Sequence, residues 1–130
     1  MKHFMYTDNV VLDFDYLDKL PSLDFVAGLI IGAGCFTWVR QNGHDQPVFQ
    51  LKMHASERHL VEQIRLALKL NESIHEYNHS GRHYVILIVR SRSSIEEKII
   101  PAFESRLFGK KAAIFYLWKE KYFQHVYGHP

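Results

Sequence analysis

One cysteine and four prolines in 130 residues leave this chain little but packing to hold it together. Cys35 alone excludes an internal disulfide and any zinc site built on paired cysteines, and it fits a reducing compartment. Long apolar runs are also missing. The longest nearly uncharged stretch, Phe25 to Val39, is interrupted by Gly28, Gly32 and Gly34 and falls short of the roughly 20 apolar residues a spanning helix needs, so no membrane partner is expected. Met1 to Tyr16 lacks a basic region followed by an apolar run, which speaks against a secretory signal, and the aspartates up to Asp24 speak against an Arg-rich transit peptide.

What is present is core material: 47% of the residues are hydrophobic and 14% aromatic, enough for one domain. The net charge of +2 conceals an asymmetry. Residues 1–24 carry two lysines against five aspartates, so the rest of the chain holds a clear excess of Lys and Arg, with most of the nine histidines added. A basic body fits phosphate binding through counterion release, and it also fits an ordinary solvated surface.

The chain divides into an acidic N-terminal extension at 1–21, a single domain at 22–127 and a C-terminal tail at 128–130. Ser22 after Pro21 predicts an N-cap for a helix from Leu23 to Gly34. Cys35 to Arg40 and Val48 to His54 read as strands around a turn containing Asn42 and Gly43. Ser56 is the expected cap of a helix from Arg58 to Leu70, where Leu60, Ile64, Ala67 and Leu68 recur at helical spacing. Ser73 to Asn78 and His83 to Val89 form a second hairpin around Gly81. Ser94 is the expected cap of Ile95 to Phe103, whose last turn Pro101 limits, and Ala112 to His125 forms the last helix. The repeated helix-hairpin unit predicts an α+β fold of αββαββα order: a four-stranded antiparallel sheet with helices on one face and the other face free.

The run from Phe25 to Phe36, FVAGLIIGAGCF, resembles the signature of LAGLIDADG homing endonucleases of the single-motif type. The likeness continues through Phe49 to His54, Leu60 to Ile64, Tyr84 to Val89, Ile99 to Phe103 and Leu107 to Lys111, and so covers about residues 23 to 123. Gly28 and Gly32 lie four apart on one helix face, where a second helix can approach closely. The resemblance implies that this helix pairs with a twofold copy, giving a homodimer, unless the chain is built into a larger ribonucleoprotein. Without it, the glycines equally serve packing on the chain's own sheet.

In the family, a carboxylate at the position of Ala33 holds divalent metal, and a second acid often stands at the position of Ile31. Magnesium demands such oxygen ligands. With alanine and isoleucine there, the degenerate position Ala33 leads to the expectation that no catalytic residue, metal or cofactor remains and that the chain is no longer an enzyme. Met53 aligns with a glutamine common near the cleavage centre, and Lys110 or Lys111 with a lysine beside it, so both lysines are expected to contact nucleic-acid phosphate as point charges.

The resemblance further implies that the open sheet face lies over nucleic acid. Gln50, Lys52 and His54 share one face of their strand by period-two geometry. Arg40, Gln41, His75, Arg82, His83, Arg90 and Arg92 sit on strands or at their ends, and each taken singly is equally a solvated charge. Val39, Val85 and Leu87 are taken as outward and apolar, which favours RNA over the DNA major groove. His75, His79 and His83 straddle a turn without the companions of a metal site. Phe4, Tyr6, Phe14 and Tyr16 among acids read as a docking tail. The expected function is binding of structured nucleic acid, with organellar ribosomal RNA or intron RNA favoured and a mitochondrial location. The alternatives are an active dimeric, sequence-specific DNA homing endonuclease with magnesium as its metal, a DNA-binding regulator, and a protein-docking module.

Overall fold

Ser22 accepts a hydrogen bond from the backbone N–H of Phe25 at 3.1 Å and starts the first helix, α1 (Leu23–Ala33), where the sequence places it. The structure, a computed structural model, describes residues 19–128 in full and the backbone at residues 4–7 and 10–13. Those two segments are β1 (Phe4–Thr7) and β2 (Val10–Asp13), an antiparallel pair inside the acidic extension. The side chains of Phe4, Tyr6, Phe14 and Tyr16, read as a docking tail, lie outside the described residues.

Helix α1 buries Val26, Ala27 and Ile30 and passes directly into β3 (Gly34–Gln41). Gly34 makes that passage possible, because a Cβ there would meet the Ile30 Cγ2 at 2.5 Å. β3 turns through Asn42 (φ 52°) and Gly43 (φ 79°) into β4 (His44–His54). Both central residues are left-handed, the conformation that a two-residue hairpin demands. Pro47 is tolerated in β4 because β6 pairs with it only from Phe49 onward, so at Pro47 the strand has a neighbour on one side only.

The next helix, α2 (Arg58–Ala67), follows a single 3-10 turn, and its entry corrects the expected cap. The N–H of Ser56 donates to Nδ1 of His54 at 3.0 Å, so His54 caps the 3-10 turn, and α2 itself follows Glu57 without a side-chain cap. β5 (Ile74–His79) and β6 (Arg82–Val89) are joined by Ser80 (φ 52°) and Gly81 (φ 77°). The helical segment at residues 92–103, α3, is capped by Ser91, which accepts from the Ser94 N–H at 3.2 Å; Ser94 itself is not the cap. Its middle widens to a π turn at Ile95–Ile99, with the Ile100 N–H reaching Ile95 O, and this wider turn immediately precedes Pro101. α4 (Gly109–Tyr127) ends the fold and buries Phe115, Trp118 and Tyr122 at helical spacing.

Strands β3 to β6 form one antiparallel sheet in the order β3-β4-β6-β5, separate from the β1-β2 pair. All the helices pack on one face of it, as expected. Phe36 stands at the centre, with ring centroids 5.3 Å from Phe49, 5.7 Å from Phe103, 5.0 Å from Phe115 and 5.2 Å from Trp118. Val85 and Leu87 are fully buried in this core. Their outward assignment is therefore corrected: the inward residues of β6 alternate with Tyr84, Ile86 and Ile88 instead.

Candidate nucleic-acid interface and motif helix

Cross-strand partners in an antiparallel sheet share a face. The register links Cys35 to Gln50 and Gln50 to Ile88, Lys52 to Ile86 and Ile86 to His75, and His54 to Tyr84 and Tyr84 to Tyr77. These rows put Cys35, Thr37, Val39 and Gln41 of β3 and His44, Gln46, Val48, Gln50, Lys52 and His54 of β4 on the face away from the helices. Arg82, Tyr84, Ile86 and Ile88 of β6 and His75, Tyr77 and His79 of β5 join them. The set contains no carboxylate.

The acids on these strands, Asp45 and Glu76, fall on the helix side. Asp45 lies 3.3 Å from Arg40 Nη1 and 3.8 Å from Lys121 Nζ of α4. Glu76 lies 2.9 Å from Arg58 Nη1 of α2 and 2.6 Å from His83 Nε2. The hydrogen bond from His83, then that from Arg58, holds the Glu76 carboxyl below the usual carboxylate range.

This geometry sorts the sequence candidates. Gln41, Gln50, Lys52, His54, His75 and Arg82 share the open face. Arg40 and His83 do not, being turned to Asp45 and Glu76. Arg90 is exposed just past β6, while Arg92 begins α3, 3.7 Å from Glu96, and stacks over Tyr127 at 5.0 Å. Lys110 is exposed at the start of α4. Lys111 Nζ donates to the carbonyl of Gly34 at 2.5 Å, beside the end of α1. Met53 is turned toward the core, so the β4 glutamine near the end of α1 is Gln50, opposite Cys35. The aromatic pair Tyr77 and Tyr84 was missed, because only the pairing of β5 with β6 brings the two rings together.

The outer face of α1 is bare. Phe25 is 51% exposed, and a Cβ added at Gly28 or Gly32 would meet nothing within 4 Å. Phe108, 74% exposed, borders the same hollow with Asp24, Gly28 and Ile31. Nothing in the described chain uses the small residues of this face for packing.

At the end of α1 the residues do not fit a divalent ion. Ala33 offers no side-chain oxygen, Gly34 O is engaged by Lys111, and no three His, Cys, Asp or Glu side chains form a metal-holding group among the described residues. Asp24 begins α1, nine positions and roughly 13 Å from Ala33 along the axis, and pairs with Arg106 at 3.1 Å.

An α+β fold whose open sheet face carries amides and cations, with no carboxylate among the described residues, fits a nucleic-acid-binding class. The particular family follows from comparison: the LAGLIDADG endonuclease family model matches residues 26–122, and the chain belongs to that family. Among solved structures, I-AabMI bound to uncleaved DNA matches with a TM-score of 0.71 at 26% identity, over 81% of this chain and 37% of that one. I-GzeII in complex with its DNA target matches with a TM-score of 0.71 at 21% identity, over 83% and 39%. I-TnaI matches with a TM-score of 0.67 at 23% identity, over 78% and 71%. The chain thus spans about two fifths of the length of the first two. No curated protein sequence matches. The expectation that this is not an enzyme is corrected by these findings, since family and structural relatives alike are endonucleases.

Proposed function

We propose that the chain is one half of a homing-endonuclease-type protein that binds duplex DNA in a sequence-specific manner. It pairs through the bare face of α1 with a second half, either another copy or a further LAGLIDADG unit, and lays the open sheet face along the duplex. The observation that carries this reading is that the described strand residues of that face include Gln41, Gln50, Lys52, His75 and Arg82 and no carboxylate. Amides and cations are the groups that read base edges and neutralise phosphates.

Duplex DNA takes precedence over the RNA expected from the sequence, because the similar solved structures contain DNA.

Selection of purified chain against random duplex and random RNA libraries tests the reading. The expected result is enrichment of one duplex sequence, with affinity falling steeply as salt rises. Cleavage of the recovered duplex is then measured with and without magnesium. Enrichment of an RNA over every duplex, or no enrichment at all, overturns it.

A further inference from the structure

One corner of the open face is built differently from the rest. Tyr77, on the edge strand β5, stacks against Tyr84 with ring centroids 5.3 Å apart and planes at 28°. Lys52 Nζ lies 4.2 Å from the Tyr84 ring centroid. Tyr84 therefore has both neighbours, whereas Tyr77 remains 45% exposed. On the other side of Tyr84 lies a hollow of about 480 Å³ that Tyr77 does not border and that Met53 and His83 line together with Lys52, His54 and Arg82. Arg82 makes no ion pair or ring contact among the described residues, whereas Lys52 is held over Tyr84.

The chemistry of this corner differs from base-edge readout. Within a duplex each base already has its faces stacked on its neighbours, so a protein reaches only donors and acceptors at the groove edges. A tyrosine offering its ring face beside an uncommitted cation matches an unstacked base with its phosphate, the combination that single-strand binders use. A cross-strand tyrosine pair also stabilises its hairpin, but that role requires neither the exposed face of Tyr77 nor an unpaired arginine beside it.

We propose that this corner is a subsite for an unpaired nucleotide, with the base stacked on Tyr77 and its phosphate held by Arg82. The inference rests on the nucleic-acid reading above and adds to it a preference for bulged or single-stranded positions. DNA and RNA share the required chemistry.

The test titrates the full chain against a perfectly paired duplex, the same duplex with one unpaired adenosine, oligodeoxyadenylate and oligoadenylate, reading fluorescence anisotropy. The wild type should prefer the bulged duplex to the paired one. Tyr77→Ala should weaken binding of the unpaired probes roughly tenfold and of the paired duplex by less than about twofold, while Tyr77→Phe retains the preference. The larger loss between the deoxyadenylate and adenylate arms identifies the source of the base, and a loss in either arm supports the subsite. Equal weakening on all probes, no weakening on any, or a loss in Tyr77→Phe as large as in Tyr77→Ala overturns it. Paired duplex bound without any unpaired-base effect sinks this inference alone; failure to bind any nucleic acid sinks the proposed function as well.

Discussion

Lys111 Nζ donates to the carbonyl oxygen of Gly34 across 77 residues of sequence, tying the first turn of α4 to the point where α1 becomes β3. A cation at the C-terminal end of a helix also meets the negative end of its dipole. Further along the same edge strand, Trp118 Nε1 donates to Thr37 O at 2.9 Å, so two α4 side chains satisfy carbonyls of β3, whose outer edge has no strand partner. Lys111→Met should therefore cost about 1–3 kcal/mol in urea denaturation, the range for a hydrogen bond to a charged group. Lys110→Met, at an exposed neighbour, should cost less than about 0.5 kcal/mol. Equal losses would show that the carbonyl contact contributes nothing.

The glycines of α1 separate folding from pairing. Open space above Gly28 and Gly32 means that the protomer has no steric need for glycine at either position. Gly28→Ala should raise protomer stability by about 0.5–1 kcal/mol through helix propensity alone. Gly28→Trp should leave the monomer folded while abolishing association through this face, as read by sedimentation velocity. Association that survives the tryptophan places the interface elsewhere.

Much of this architecture was legible in local chemistry. Ser22, the Asn42-Gly43 turn and the Gly81 turn marked boundaries that the structure keeps, because capping and left-handed turns are decided by a few adjacent residues. Faces and partners were less legible. His83 to Val89 has no clean polar alternation, so nothing local said which side of β6 was inward; pairing of Phe49 with Val89 fixes that register from another hairpin. His83 resembled a nucleic-acid contact until the fold brought Glu76 and Arg58 to it. Lys111 resembled a phosphate contact until α4 brought it to Gly34. The missing acid at Ala33 was visible, yet one residue could not outweigh the family that the remaining ninety-odd positions declare.

Glu76 gives the fold an acid-sensitive contact. Its carboxyl is depressed from its ordinary value of 4.5 by His83 first and Arg58 second. A depressed carboxyl stabilises the folded state above its unfolded pKa, and the contribution disappears as pH falls through the folded value. Glu76→Gln should therefore lower the melting temperature near neutrality, and the gap from wild type should close as pH drops below about 4.5. A gap that stays constant down to strongly acidic pH would mean that the amide disturbs packing and that ionisation of Glu76 contributes nothing.

Lys52 and Arg82 provide the sharpest electrostatic test of the open face. Both lie on it, and neither is committed to an acid among the described residues. Each phosphate neutralised on B-DNA adds about 0.9 to the magnitude of the slope of log affinity against log salt. Lys52→Ala and Arg82→Ala should each flatten that slope by about one, weakening selected and random duplexes alike if they touch phosphate. A change confined to the selected sequence would instead assign the side chain to a base edge, at about 1–3 kcal/mol of discrimination. Lys98→Ala on α3, on the helix side, is the control and should leave the slope unchanged. If it flattens the slope as much as Lys52→Ala does, attraction to DNA is spread over the whole basic body and the carboxylate-free face has no special part in it.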